Sequence, residues 1–133
     1  MPMENIEVDL TIDHAVRVIR VRIQGSIQPS NAWKLPKRPR LLASQWRYGI
    51  YYDCRGVDLK ATPVELYKLP RTADVLTDPE RKRWRAAFLV STDATEDLWD
   101  FYVTTARNCG VNCRLFLDDE RAALTWATGA KTK

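Results

Sequence analysis

The sequence predicts an α/β fold: a mixed central sheet with an N-terminal antiparallel hairpin, parallel βαβ units, and helices packed on the sheet. Three observations predict it. Ala86, Ala87, Phe88, Leu89 and Val90 form an apolar run without alternation, the pattern of a strand covered on both faces. Leu98, Phe101, Tyr102, Thr105 and Ala106 follow at three- and four-residue spacing, which places them on one helical face. A strand over 111–117 and a helix from Asp118, carrying Leu124, Trp126 and Ala127, complete a β-α-β-α unit. The chain has 133 residues, enough for one domain but too few for two that each bury a core, so 1–133 is read as a single domain.

In chain order, Ile6, Val8 and Leu10 alternate with Glu7 and Asp9, as in a strand with one wet face. A turn over 11–15 leads into a longer strand from Val16 that ends before Gly25. The two strands form an edge hairpin, with Glu7 and Asp9 opposite Arg17, Arg20 or Arg22. Pro29, Pro36 and Pro39 forbid one continuous helix over the next stretch, because proline lacks the amide donor and obstructs the preceding turn. A short helix or loop at Trp33 and a helical segment over 41–47 are expected, with Trp33, Leu41, Leu42 and Trp46 covering a sheet face. The third strand spans 48–54 and turns at Arg55-Gly56.

Thr62-Pro63 starts a helix: Thr62 caps it, Pro63 fits its first turn, and Glu65 completes a capping box. Leu66 and Leu69 face the core before Pro70 interrupts. Asp74, Val75 and Leu76 make a short turn, and residues 79–84 form a helix with a basic face. Thr92 or Asp93 caps the helix after the buried strand, where Glu96, Asp97 and Asp100 suit the positive N-terminal half. Gly110 ends that helix in a left-handed conformation, and Asp118 and Gly129 bracket the last one.

Composition narrows the function classes. No apolar run approaches the about 20 residues that cross a bilayer. The opening MPMENIEVDL lacks the basic start and apolar core of a secretory signal, so a cytoplasmic location is expected. The net charge of +4 permits contact with polyanions without requiring it. Lys34, Lys37, Arg38, Arg40 and Arg47 form one basic cluster and Arg81, Lys82, Arg83 and Arg85 another. Such clusters are more often solvated faces than binding sites, and specific nucleic-acid recognition is not expected. Cys54, Cys109 and Cys113 make no disulfide framework, and no matching Cys or His pair accompanies Cys109 and Cys113 to supply the four ligands of a zinc site. Cys54 and Cys113 suit strand positions facing the core, and Cys109, near a helix end, is the one open to redox chemistry. No glycine-rich phosphate loop occurs, so no cofactor is expected.

Candidate site residues are few. Trp33, Trp46, Tyr51, Tyr67 and Trp84 offer pocket material for a small apolar or anionic ligand. Asp53, Arg55, Asp58 and Arg107 are polar groups near strand ends, where ligands bind in open α/β sheets. Each has a structural role open to it as well, in capping turns and satisfying helix ends. The lone His14 lies in the edge hairpin, so no Ser-His-acid arrangement can be placed and no enzyme is expected.

Four segments carry a family resemblance: IYYDCRGVDLKATPVELYKLP over 50–70, RAAFLV over 85–90, DFYVTTARNCGVNCRLF over 100–116 and DDERAALTWA over 118–127. Together, and above all through the ARN-x-G turn and the closing A-x-TW helix, the chain resembles the SpoIIAA-like branch of STAS-related domains. The resemblance implies a mixed sheet flanked by helices and a non-enzymatic interaction or regulatory module, akin to anti-sigma-factor antagonists. A protein partner or self-association is implied with it. It also brings Thr62 near the phosphoacceptor position of regulatory STAS domains. There Ala61 stands in the acidic place, and Pro63-Val64 replaces the small, glycine-containing continuation.

Overall fold

The computed structural model of the protein describes residues 6–92 and 95–129, with Ala73 and Asp74 described by their backbone alone. Strands β1 (Ile6–Asp13), β2 (Val18–Ile27), β3 (Gly49–Leu59), β4 (Ala86–Val90) and β5 (Cys113–Leu117) form one sheet in that spatial order. β1 pairs antiparallel with β2, and every later pairing is parallel. Helices α1 (Pro29–Ala32) and α2 (Lys37–Trp46) link β2 to β3. α3 (Pro63–Lys68), a 3-10 turn over Leu69–Arg71, α4 (Ala73–Leu76) and a second 3-10 turn over Pro79–Lys82 link β3 to β4. α5 (Glu96–Asn108) connects β4 to β5, and α6 (Glu120–Ala127) closes the chain. The mixed sheet with its hairpin and parallel units is the one the sequence predicts.

Parallel strands bury both faces, and here the two faces are covered unequally. Ile19, Val21 and Ile23 of β2, Ile50, Tyr52 and Cys54 of β3, and Ala86 and Val90 of β4 point to one side. There they meet Ala43 of α2, Leu66 of α3, and Trp99, Val103 and Ala106 of α5. Val18, Tyr51, Ala87 and Leu89 point to the other side, where α6 supplies Ala123 and Ala127. Alanines let α6 lie close to the sheet. At Gly49 a Cβ would overlap the Ala127 carbonyl oxygen.

Several expectations are corrected. β2 does not end before Gly25 but runs through it to Ile27, with Gly25 at φ 108°. β3 does not turn at Arg55-Gly56. It continues to Leu59 through a bulge, since Arg22 pairs with Asp53 while Gln24 pairs with Gly56. Three steps on β3 thus match two on β2, which keeps Val57 and Leu59 on the same face as Cys54. Asp9 lies opposite Arg22, and Glu7 opposite Gln24. The prolines stand at helix starts: Pro29 opens α1, Pro36 is the N-cap of α2, and Pro39 lies in its first turn. Pro39 and Ala43 turn inward, whereas Leu41, Trp46 and Trp33 are exposed.

On α5 the buried stripe is Trp99, Val103, Thr105 and Ala106, and Phe101 faces outward. Thr92 does not cap α5. Its hydroxyl donates to Asp118 at 2.9 Å, joining the ends of β4 and β5. Asp93 lies outside the described residues. Asp118 has φ 58° and precedes α6, which is capped by Asp119.

The Thr62 capping box is complete. The Glu65 N–H donates to Thr62 Oγ1 at 3.2 Å, and the Thr62 N–H donates to Glu65 Oε1 at 2.8 Å. Thr62→Ala should lower unfolding free energy by about 1 kcal/mol in urea titration. Gly49→Ala should cost about 3 kcal/mol or more in the same assay, because its obstacle is backbone and cannot rotate away.

Candidate functional site

A cavity of about 190 Å³ lies between the sheet and the helices on its heavily covered side. Its floor is aromatic. Tyr52 and Phe88, register partners on β3 and β4, stack at 4.7 Å and 6°. Trp99 and Tyr102 of α5 meet the Phe88 ring at 6.0 and 5.9 Å. Ile23, Ile27 and Leu59 extend the floor, and Leu66, Leu69 and Val75 make one wall. The roof is the segment 29–40, with Ala32, Trp33, Leu35, Pro36, Lys37 and Arg40. Asn31 anchors that roof. It is 4% exposed, accepts from the Gln28 N–H at 3.0 Å and donates to the Ser26 carbonyl at 3.1 Å.

Polar groups converge at one place in this apolar space. Arg40, Tyr52 and Tyr102 line both the main cavity and an adjoining void of about 30 Å³, together with Pro36 and Phe88. Burial pushes the Tyr102 phenol up to about 12 and raises Tyr52 too, while the positive Arg40 pulls both the other way. Both hydroxyls therefore stay protonated near neutral pH. Burial also raises the Cys54 thiol and pushes Cys113 up to about 12, so neither is a ready thiolate.

The residues named from sequence do not gather in this cavity, Trp33 excepted. Trp33 stands at its rim, with Lys37 Nζ 4.6 Å and Lys34 Nζ 5.7 Å from its ring centre. Trp46 closes the far end of α2 against His14 at 4.6 Å. Trp84 lines the smaller void, and its indole N–H donates to Ser44 Oγ at 3.2 Å and Glu80 Oε1 at 2.9 Å. Tyr67 is exposed, its ring covered by the Arg71 guanidinium at 3.6 Å. Asp58 pairs at the surface with Lys60 at 3.6 Å. Arg107 lines a shallow cleft with Lys82, Arg114 and Trp126. Thr62 is exposed at the start of α3.

Tyr51, Asp53 and Arg55 lie on the opposite sheet face. Arg55 donates to both Asp53 oxygens, at 3.0 and 2.9 Å, and approaches Glu120 at 3.5 Å. Burial opposes the Asp53 charge, but the hydrogen bonds from Arg55 prevail and hold its carboxyl below the usual range. The basic clusters do not form one uncommitted surface either. Arg81 donates to the Cys109 and Asp78 carbonyls, Arg85 donates to the Trp126 carbonyl, and Arg83 pairs with Glu80.

Sequence reasoning missed Arg40, Tyr52 and Tyr102. The signal for Arg40 was present: Pro36, Pro39, Arg40 and Ala43 share one helical stripe, and that stripe turns inward. The place of Arg40 in a run of basic residues between Lys34 and Arg47 masks that position in the sequence.

Among the described residues, no helix is long and apolar enough to cross a membrane, and no three His, Cys, Asp or Glu side chains group to hold a metal ion. No protein-family model and no curated protein matches the chain. One similar solved structure is a crystal structure of an uncharacterized DUF3478-family protein from Shewanella loihica PV-4, described as having a SpoIIAA-like fold. It matches with a TM-score of 0.51 over 96% of this chain and 97% of that one, at 14% sequence identity. The fold is SpoIIAA-like. The covered sheet, the N-terminal hairpin and the parallel units follow that architecture.

On the lightly covered face, the Tyr51 hydroxyl is buried without a hydrogen-bond partner among the described residues. Tyr51→Phe should therefore raise unfolding free energy by about 1 kcal/mol in urea titration. A loss of stability would show that the hydroxyl is hydrogen-bonded in solution.

Proposed function

We propose that the protein is a non-catalytic, ligand-responsive interaction module that takes a small apolar ligand into the cavity beneath α1 and α2. The cavity carries this reading: it is mostly apolar, floored by four aromatic rings, and joined by a few convergent polar groups, the composition of small-molecule sites. An apolar cavity on the order of 150 Å³ accepts a single aromatic ring, so about 190 Å³ sets a ligand of one ring or a short alkyl chain.

A partner-binding role fits the same elements. Leu41 and Val64 stand 68% and 62% exposed on α2 and α3, the helices that also roof and wall the cavity. A ligand beneath those helices would act on the surface they present. The interaction module and the ligand site are then one device read from two sides.

Filling the cavity tests the reading. Ala32→Phe should weaken binding of toluene, followed by isothermal titration, at least about tenfold. The thermal midpoint should stay level or rise, since the new ring occupies existing space. Unchanged binding by the folded variant would place the probe elsewhere and remove the support for this site.

A further inference from the structure

We propose that the ligand of this cavity is a monoanion, a carboxylate on a short apolar body, with its charged end held by Arg40, Tyr52 and Tyr102. This deepens the reading of the cavity as a ligand site and rests on it.

The argument begins with Arg40. It lies on the inward stripe of α2, partly buried, and lines the main cavity, the adjoining void and the outer cleft beside Ser44. A guanidinium is always charged, and withdrawing it from water is costly unless an anion or carbonyl meets it. Among the described residues, none hydrogen-bonds to it or forms an ion pair with it. The two carboxylates that line the smaller void are turned to other tasks. Asp78 accepts the Glu80 N–H at 2.9 Å, and Glu80 accepts the Trp84 indole at 2.9 Å and faces Arg83 at 3.7 Å. Arg40 is thus a partly buried cation lining both the apolar space and the outer cleft, with no ion-pair partner among the described residues.

The phenols beside it define the shape of the missing partner. Tyr52 is 4% exposed and Tyr102 partly buried, and the hydroxyl of neither donates to a described residue. Both stay protonated, so both can donate to an anion that Arg40 attracts. One guanidinium with two neutral donors suits a single negative charge and the oxygens of a carboxylate. Asp78 and Glu80, which line the same small void, oppose a second negative charge there. The apolar floor takes the remainder of the molecule, and Lys37 beside Trp33 at the rim gives the entrance a positive charge.

A matched pair of probes tests this: hexanoate and hexanamide share shape and differ in charge. Isothermal titration should show the wild-type protein binding hexanoate about tenfold or more tightly than hexanamide. Arg40→Met, which keeps length and removes charge, should abolish that preference while leaving hexanamide within about twofold. Arg40→Lys should retain part of the preference, and it guards against a Met variant that fails to fold. Equal wild-type affinity for the two probes, with both lost in Ala32→Phe, would overturn the anion assignment and leave the cavity reading standing. No binding of either probe, or binding indifferent to Ala32→Phe, would overturn both.

Discussion

Three parallel strand pairings oblige this sheet to be covered on both faces, and one eight-residue helix covers one of them. That inequality organises the molecule. On the α6 side, close approach replaces bulk: Ala123 and Ala127 meet Ala87, Leu89 and Val18 directly, and Gly49 leaves room for the helix backbone. Where α6 does not reach, the same face is polar, and Asp9, Arg22 and Asp53 lie in register across three strands. On the other side, α2, α3 and α5 together span a wider surface than they fill. The aromatic floor is interlocked, with Tyr52, Trp99 and Tyr102 each packed on Phe88, and a cavity remains above it.

How much of this was legible in the sequence depended on whether the signal was local. The unbroken apolar run of β4, the Thr62–Glu65 box and the left-handed Gly110 are each decided within a few residues, and the structure has all three. β3 was cut short because its alternation is read against a period of two, and one extra residue after Cys54 breaks that period without ending the strand. The expected face of α5 holds at Leu98, Tyr102, Thr105 and Ala106 but not at Phe101, since Phe101 and Trp99 are both large and apolar and packing against Phe88 favours Trp99. The candidate pocket failed to gather for a related reason. Large aromatic residues are as useful at helix ends and on exposed helix faces, where Trp46 and Tyr67 lie, as around ligands.

Fold and function are separable here. The SpoIIAA-like architecture accounts for the sheet order and for the helices on it, and it is compatible with many roles. What distinguishes this chain is the content of one inward stripe, where a proline-opened helix turns an arginine toward two tyrosines. The anchor at Asn31 matters for the same reason: it ties the start of the roof to the end of β2, so that the space below keeps its height.

The β3 bulge has a consequence for any comparison of this chain with others. Because three residues there stand opposite two, aligning strands by inside–outside alternation alone would shift Val57 and Leu59 out of frame by one. Leu59 would then be matched to outward-facing positions, and the cavity floor would look absent from proteins that possess it. A one-residue gap near Gly56 in such an alignment is therefore a statement about geometry, to be judged by which side chains reach the core and not by residue identity.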